Sequence, residues 1–291
     1  MKVLSLFDGI SCGMVALQRI GINVVRYVAF EIEDSAIRIS KHNYPQIEHC
    51  GDVYKADFSQ YKDFDLLIGG SPCTYWSIAK SGREVTNDGI GFDLFMQYVR
   101  AKEESGCKYF LYENNYSISK DIKDEISKKL GVQPIMINSS LVSAQSRKRC
   151  YWTNIPNVGQ PKDKRIKLQD ILESGYADRE KSLRIARRYA GCSGSQSYLC
   201  RRYFGKSFYQ AKFTDKEAYE RVKSLYLQDN RFESDLSDIH PLSVTEVERL
   251  QTLPDNYTNI PGISRSQRIE AIGNGWTVDV IAHILQGLKN D

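Results

Sequence analysis

Short apolar runs alternate with helical segments from Val3 to about Asn154, and this alternation most constrains the fold. The first unit is a strand-like run at residues 3–7, a glycine turn, and a segment of helical periodicity at 14–20. Alternation of this kind is typical of α/β proteins with a mostly parallel sheet. Such sheets bind ligands beyond the carboxyl ends of their strands, so we expect a functional site at that edge.

The composition excludes several classes of protein. The chain has 291 residues, of which 41% are hydrophobic and 26% charged, a balance typical of a soluble globular protein of one or two domains. No apolar stretch approaches the roughly 20 residues that a membrane helix needs. The first residues lack the cleavage pattern of a signal peptide. We therefore expect a cytoplasmic protein with no membrane partner.

The seven cysteines and four histidines indicate neither a disulfide framework nor a metal site. The cysteines are scattered, none forms a CxxC pair, and no histidine is spaced with them as a ligand set. This pattern is typical of free thiols in a reducing compartment. We expect no metal ion.

Charge is unevenly distributed along the chain. Residues 161–232 contain 17 Lys and Arg against 9 Asp and Glu, although the net charge of the whole chain is only +4. A basic segment suits a polyanionic partner, and a solvated surface explains it about as well. Its aromatic residues would stack on nucleic-acid bases or form the core of a small separate domain. These residues are Tyr189, Tyr198, Tyr203, Phe204 and Tyr209.

A thiol follows one of the predicted strands. The apolar residues 64–68 lead into Gly69-Gly70-Ser71-Pro72-Cys73, where the glycines permit a sharp turn and Pro72 stiffens it. Cys73 is thus expected at the carboxyl end of a strand. It is either a nucleophile or a buried inert cysteine, and this stretch alone favours neither. The long polar loop that follows, 74–92, is typical of a lid over a site.

The first glycine turn suits a nucleotide-binding βαβ unit, although it does not match GxGxxG. Glu31 closes the second strand 22 residues after Gly9, near the roughly 20-residue spacing at which an acid binds a ribose hydroxyl. We favour this role over that of a surface glutamate. Asp52 follows the third strand and would either accept a hydrogen bond from an adenine amino group or belong to an ordinary turn.

Charged side chains follow or precede two further strands. Glu113 comes after the predicted fifth strand, 109–112, at the sheet edge where Cys73 is expected. Arg147 and Arg149 lead into a later strand and, two residues apart, share one face of it. They would hold a carboxylate or a phosphate, unless they belong to an exposed basic edge strand.

The order of these motifs resembles that of the DNA cytosine-5 methyltransferase family along almost the whole chain. The matching segments are Phe7-Asp8-Gly9 with Gly13, Glu31-Ile32, Asp52-Val53, Ser71-Pro72-Cys73, Glu113-Asn114, Gln145 with Arg147 and Arg149, Arg249-Leu250-Gln251, and Gly273-Asn274. Each motif alone is weak, but eight in the family's order are specific.

The resemblance implies a Rossmann-like S-adenosylmethionine-dependent methyltransferase fold with a smaller, inserted target-recognition domain. The cofactor-binding catalytic domain would comprise 1–155, the recognition domain 156–240, and the helices completing the catalytic domain 241–291. S-adenosylmethionine would be bound by Phe7, Asp8, Gly9, Gly13, Glu31, Ile32, Asp52, Val53, Pro72, Leu94, Asn274 and Trp276.

The resemblance also implies a reaction, in which a methyl group passes to C5 of a cytosine flipped out of double-stranded DNA. Cys73 would form a covalent bond to C6, and Glu113 would hold or protonate N3. Arg149 would contact O2 and Glu113, with Arg147 beside it. A bacterial or phage origin and a restriction endonuclease partner would fit such a protein.

Two alternatives stay open. An RNA (tRNA) cytosine-5 methyltransferase is similar in every motif, but the recognition region here lacks that branch's Cys-Phe-Thr signature. A catalytically silent DNA-binding relative would tend to lose the catalytic groups that this chain retains. The chain departs from the family at Thr74, Asn115 and Trp276, where Gln, Val and a smaller residue are common, and none of these changes removes a catalytic group.

Overall fold

The computed structural model describes residues 1–76, 82–185, 189, 195–205, 209–228 and 236–290. The chain forms two compact units. The first comprises Met1–Asn138, Lys148–Pro161 and Val280–Asp291, and the second comprises Ser139–Arg147 and Lys162–Asp279.

A seven-stranded sheet is the centre of the first unit. Its strands are β1 (Lys2–Leu6), β2 (Arg26–Phe30), β3 (Glu48–His49), β4 (Leu66–Gly69), β5 (Tyr109–Asn115), β6 (Ile135–Asn138) and β7 (Lys148–Thr153). They lie in the order β3-β2-β1-β4-β5-β7-β6. Neighbours from β3 to β5 pair in parallel, whereas β7 runs antiparallel to both β5 and β6. The predicted α/β fold with a mostly parallel sheet is confirmed.

Four helices connect these strands: α1 (Cys12–Arg19), α2 (Asp34–Asn43), α3 (Ile90–Ser105) and α4 (Lys120–Leu130). The ends of α4 follow from local chemistry, since the Ser119 hydroxyl accepts the Ile122 N–H and Gly131 ends the helix in the left-handed region. The strands β1, β2 and β4 bury nearly every residue, as parallel strands covered on both faces do.

Two differences from the expected boundaries lie next to the residues predicted to be catalytic. β5 continues through Glu113 to Asn115 instead of ending at Tyr112, because β7 pairs with it as far as Asn115, opposite Arg149. α3 begins at Ile90, directly after Gly89, so the loop that follows Cys73 ends before residue 92, where the sequence predicted its end.

The second unit contains α5 (Gln196–Phe204), β8 (Ala211–Phe213), α6 (Lys216–Gln228), β9 (Ile239–Pro241), α7 (Val244–Leu250) and α8 (Arg265–Asn274), and α9 (Val278–Leu285) begins at its end. β8 and β9 pair antiparallel. The Ser-x-x-Glu pattern at 243–246 forms a capping box at the start of α7, in which the side chains of Ser243 and Glu246 each accept the backbone N–H of the other residue.

Several aromatic residues of the basic segment form the core of this unit. Tyr189, Tyr203 and Tyr209 are 2%, 5% and 7% exposed, so the interpretation that they stack on bases is wrong for these three. Burial excludes them from any contact with a ligand in solution. Tyr198 is 37% exposed and keeps that option. Arg187, Arg188 and residues 191–194 lie outside the described residues.

The second unit extends beyond the segment predicted as a recognition domain. It includes residues 241–279 because α7 is tied to residues before 240. The buried carboxylate of Glu246 accepts hydrogen bonds from Lys212 and from the backbone N–H of Glu173. The assignment of 156–240 to target recognition stays a prediction.

Gly69 provides a test of how closely the central strands pack. A Cβ atom on Gly69 would lie 2.7 Å from the carbonyl oxygen of Leu6 on the neighbouring strand. A backbone atom cannot move aside cheaply, so we expect Gly69→Ala to lower the free energy of unfolding by about 1–3 kcal/mol. Gly159→Ala is the matched control, since its Cβ would meet no atom of the described residues within 4 Å. Equal urea-unfolding midpoints for the two variants would contradict this packing.

Candidate active site

The turn after β1 is held in an unusual backbone conformation. Phe7, Gly9 and Ser11 have φ angles of 56°, 60° and 59°. Phe7 and Ser11 carry side chains that disfavour this left-handed region, so the surroundings must impose it. Strained residues of this kind cluster at ligand sites, and the turn lies at the carboxyl edge of the sheet.

The buried side chain of Asp8 holds this turn in place through hydrogen bonds. Its carboxylate accepts hydrogen bonds of 2.6 Å from the hydroxyls of Ser5, Ser11 and Tyr27. Burial raises the pKa of Asp8 above its ordinary value, and the three hydroxyls partly oppose that shift. Burial and the neighbouring Asp8 likewise hold the pKa of Tyr27 well above its usual range. Asp8, predicted to bind cofactor, therefore has its oxygens engaged by the protein.

Gly13 also has a packing role. It lies inside α1, and a Cβ there would come within 2.3 Å of Ile68 and 3.0 Å of the Tyr27 hydroxyl. Only glycine allows α1 to approach β4 this closely.

Glu31 lies at the end of β2 and joins the turn to the next strand. One carboxylate oxygen accepts the N–H of Gly9 at 2.8 Å, and the other accepts those of Ile32 and Glu33 at 2.8 and 2.9 Å. A carboxylate has about four acceptor positions, so room is left for a further donor such as a sugar hydroxyl. Ile32 beside it is 76% exposed, an apolar surface suited to the face of a purine ring.

Asp52 and Val53 lie after β3, which neighbours β2 in the sheet. The Asp52 side chain accepts the N–H of Tyr54, the ordinary turn contact that the sequence allowed, and Val53 is buried. The Tyr54 hydroxyl donates to Asp93 at 2.6 Å, which ties this segment to α3. Burial and then Asp93 raise the pKa of Tyr54 to about 12. Leu94 is half-buried on the same helix.

β4 leads into a short helical turn, Cys73–Tyr75, after the exposed Pro72. The backbone just before Cys73 is anchored to β5. The hydroxyls of Ser71 and Tyr112 are 2.6 Å apart, and the Asn114 amide donates to the carbonyl oxygen of Ser71 at 3.2 Å. The side chain of Cys73 lies outside the described residues. Sequence analysis missed this anchor, although Tyr112 and Asn114, two apart in a strand, share one face.

Glu113 points to the opposite face of β5 and forms an ion pair there with Arg149 of β7. Nε of Arg149 lies 2.8 Å from Oε1 of Glu113, and the two side chains are only 9% and 11% exposed. The antiparallel register creates this contact by placing Asn115 opposite Arg149 and Glu113 opposite Tyr151. The structure thus brings together two of the four residues predicted to be catalytic.

Arg147 forms hydrogen bonds to the backbone at the end of α8. Its guanidinium donates to the carbonyl oxygens of Gly273 and Gly275 at 2.9 and 3.0 Å, within the second unit. The buried Gln251 donates to the carbonyl oxygen of Ile272 in the same segment. Arg147 and Gln251 therefore position the turn that carries the exposed Asn274 and the partly exposed Trp276. The expectation that Arg147 acts beside Arg149 at the base stays a prediction.

The described part of the loop after Cys73 is docked on the first unit. The Arg83 guanidinium donates to the carbonyl oxygen of Ser117 at 2.7 Å, and the Ser119 hydroxyl donates to that of Val85 at 3.0 Å. Residues 77–81 of the predicted lid lie outside the described residues, and its closure over a substrate stays a prediction.

Within the described ranges, no group of three His, Cys, Asp or Glu side chains could hold a metal ion. No helix in the same ranges is both long and apolar enough to span a membrane.

The mostly parallel strand order, the strained glycine turn after β1 and the acid after β2 are those of a Rossmann-like, nucleotide-binding fold. The family model described as C-5 cytosine-specific DNA methylase matches residues 1–290. The chain belongs to this family, and S-adenosylmethionine is the cofactor that this membership assigns to it.

Two individual relatives show how far the sequences diverge, since each is less than 30% identical to this chain. The chain is 29% identical over 194 residues to orphan methyltransferase M.SPRI of Bacillus phage SPR, which covers 60% of this chain and 43% of that protein. It is 26% identical over 315 residues to type II methyltransferase M.NlaX of Neisseria lactamica, covering 99% and 96%. The matches to the first curated relatives span less than half the length of those proteins.

A crystal structure of a Spodoptera frugiperda DNMT2 mutant shares the fold. The TM-score is 0.76 with 17% identity, and the match covers 99% of both chains. At this identity the likeness concerns the fold alone.

The raised pKa of Asp8 predicts a pH dependence of stability. The folded protein keeps the Asp8 proton to higher pH than the unfolded chain, whose value is near 3.8. Asp8 therefore contributes stability that is full below about pH 3.8 and is lost as pH rises through the folded pKa. Asp8→Asn should gain stability relative to the wild type as pH rises over that interval.

The control for this experiment is Asp63→Asn. The ion pair with Lys2 lowers the pKa of Asp63, so its contribution has the opposite sign and is lost as pH falls. Unfolding free energies measured between pH 3 and pH 7 would contradict the role of Asp8 if both variants changed in the same direction.

Two tyrosines of β5 allow a matched test of the anchor before Cys73. Tyr112→Phe removes the hydroxyl bound to Ser71 and Asn114, and we expect a loss of about 1–3 kcal/mol in the free energy of unfolding. The buried hydroxyl of Tyr109 has no hydrogen-bond partner among the residues that the structure describes, so Tyr109→Phe should be neutral or stabilising. Chemical denaturation of both variants decides the matter, and a Tyr109 loss as large as that of Tyr112 would refute it.

Proposed function

We propose that this protein transfers a methyl group from S-adenosylmethionine to C5 of cytosine in double-stranded DNA. The observation that carries the proposal is the nearly buried Glu113–Arg149 ion pair on β5 and β7, beside the strand that leads to Cys73. A carboxyl group and a guanidinium held together match the N3 and O2 atoms on one edge of cytosine. Membership in a cytosine-C5 family supports the same substrate base.

Cys73 is the proposed nucleophile. C5 of cytosine is a weak nucleophile, and a thiolate that adds to C6 makes C5 enamine-like. Glu113 holds or protonates N3 while that C6–S bond forms, so that negative charge does not build up on the ring. The Ser71 anchor supports this role because it fixes the backbone immediately before Cys73.

Arg149 is proposed to orient Glu113 and to donate to O2 of the base. Its Nε is committed to Glu113, and one terminal nitrogen donates to the carbonyl oxygen of Lys148. A guanidinium has five N–H groups in a rigid plane, so donors remain for the base. Arg147, proposed from the sequence as catalytic, is better described as a positioning residue for residues 273–275.

S-adenosylmethionine supplies an electrophilic methyl group on a sulfonium ion. The residues near the β1 turn fit this ligand, because Gly9 has open space where a side chain would stand and Ile32 presents an apolar surface. Glu31 retains acceptor capacity for a ribose hydroxyl. After transfer, a base removes the C5 proton. The electrons of that C–H bond restore the C5=C6 double bond, and the C6–S bond breaks to release the Cys73 thiolate.

Double-stranded DNA is the proposed partner, with the target cytosine flipped out of the helix at a cost of a few kcal/mol. The basic segment of the second unit would grip phosphates and read bases in the major groove. The relatives M.SPRI and M.NlaX are named an orphan and a type II methyltransferase, and the second name fits a role beside a restriction endonuclease.

The test is to incubate the purified protein with mixed-sequence duplex DNA and S-adenosylmethionine and to measure 5-methylcytosine by mass spectrometry of the nucleosides. We expect product with the wild type and none with Cys73→Ala, because that variant lacks the only group proposed to activate C5. DNA binding by Cys73→Ala should persist. Product from Cys73→Ala would exclude Cys73 as nucleophile, and product in RNA but not in DNA would exclude the proposed substrate.

The covalent step has a separate readout. Duplex DNA containing 5-fluorocytosine can accept the thiolate and the methyl group but has no C5 proton to release. The adduct should therefore accumulate as a denaturation-resistant complex with the wild type and be absent with Cys73→Ala. If ordinary DNA is methylated but no such complex forms, the covalent mechanism is contradicted while the proposed methyl transfer to DNA still stands.

A further inference from the structure

A tyrosine beside the candidate active site holds two ammonium groups. Tyr116 directly follows β5 and is 40% exposed. The ammonium of Lys123 lies 4.7 Å from the centre of its ring, and that of Lys148 lies 5.7 Å from it. Both distances are within the range of about 6 Å at which an aromatic ring attracts a cation. We refer to Tyr116, Lys123 and Lys148 as the lysine clamp.

The two lysines are carried by rigid elements. Lys123 lies on α4, and Lys148 is the first residue of β7. The two elements are joined by the indole N–H of Trp152, which donates to the Ser127 hydroxyl of α4 at 2.9 Å. This contact ties α4 to β7, the two elements from which the lysine side chains reach the ring.

Two cations near one ring repel each other, and an anion between them would relieve that repulsion. A pocket of about 210 Å³ lies beside the clamp, lined by Tyr116, Met136, Ile137, Asn138, Lys148 and Gln160. None of these six residues is acidic. On α4 itself, the carboxylate of Asp124 is engaged by Lys120 at 3.5 Å. The local charge therefore favours an anionic ligand.

The clamp lies close to the proposed catalytic pair. Tyr116 follows Glu113 by three residues in the sequence, and Lys148 directly precedes Arg149. At about 3.3 Å per extended residue, the Cα atoms of Glu113 and Tyr116 are on the order of 10 Å apart. Lys148 and Arg149 are successive residues of β7, so their side chains point to opposite faces of the strand, and the clamp is a separate site from the Glu113–Arg149 pair.

We propose that the lysine clamp binds the phosphate backbone of DNA, with Tyr116 as the residue that positions the two ammonium groups. This inference rests on the proposed function. It adds a contact made by the catalytic unit itself, independent of the basic segment at 161–232. Long lysine side chains lose much rotamer freedom when they bind, and a ring that already holds them lowers that cost.

The experiment measures duplex DNA binding by fluorescence anisotropy at several salt concentrations for the wild type, Lys123→Gln, Lys148→Gln and the double variant. Each phosphate contact contributes about 0.9 to the slope of log affinity against log salt. We expect each single variant to lose about 0.9 of slope and several-fold in affinity, and the double variant to lose about 1.8.

Lys128→Gln is the matched control, since Lys128 is exposed on the same helix and the substitution removes the same charge. Its slope should equal that of the wild type. If Lys128→Gln lowers the slope as much as Lys123→Gln does, the loss reflects the net charge of the protein, and the proposal that the lysine clamp contacts phosphates is wrong.

Tyr116→Leu and Tyr116→Phe test the positioning role. Leu keeps both charges but removes the ring, so affinity should fall several-fold, whereas Phe keeps the ring and should restore wild-type binding. Equal binding by the Leu and Phe variants would overturn the role of Tyr116.

Outcomes for the two proposals are distinguishable. If the wild type makes 5-methylcytosine in DNA while the double lysine variant keeps the wild-type slope, the clamp fails and the proposed function stands. If the wild type makes no 5-methylcytosine in DNA, the proposed function fails and the DNA clamp falls with it.

Discussion

The register of β7 against β5 is the constraint on which the candidate active site depends. β7 runs antiparallel between β5 and β6, and Asn115 lies opposite Arg149. Successive residues of a strand face opposite sides, so a slip of one residue would turn Arg149 away from Glu113. The same slip would remove Lys148 from Tyr116. Two contacts of different chemistry, on opposite faces of one strand, thus follow from a single pairing.

The Glu113–Arg149 pair itself is an expensive arrangement. Removing two charges from water costs several kcal/mol per ion, and apolar residues of similar size often stabilise a protein as well or better. The proposed role of Glu113 and Arg149 in catalysis would account for a nearly buried pair at the carboxyl edge of the sheet. Burial lets a carboxyl group act on a base without competing water.

Buried polar contacts also hold loops within each of the two units. Asp8 collects three hydroxyls under the β1 turn, Asn114 and Tyr112 hold Ser71, and Arg147 holds the carbonyl oxygens near Asn274. Each polar group is satisfied by a partner that lies in another element. Such networks rigidify a site because each unpaired member would be costly. They also explain why a residue matched to a family motif can act through its neighbours instead of touching a ligand.

The sequence by itself determined the alternation of strands and helices, the mostly parallel sheet and the capping box of α7, because these depend on local periodicity and on contacts within a few residues. It also placed Glu31, Cys73 and Glu113 at or near the carboxyl ends of strands. Only the tertiary structure decided that β5 runs on to Asn115, that Tyr189, Tyr203 and Tyr209 are core, and that Arg147 and Arg149 have separate partners. These outcomes depend on strand register and on burial against residues distant in the chain, which no local pattern encodes.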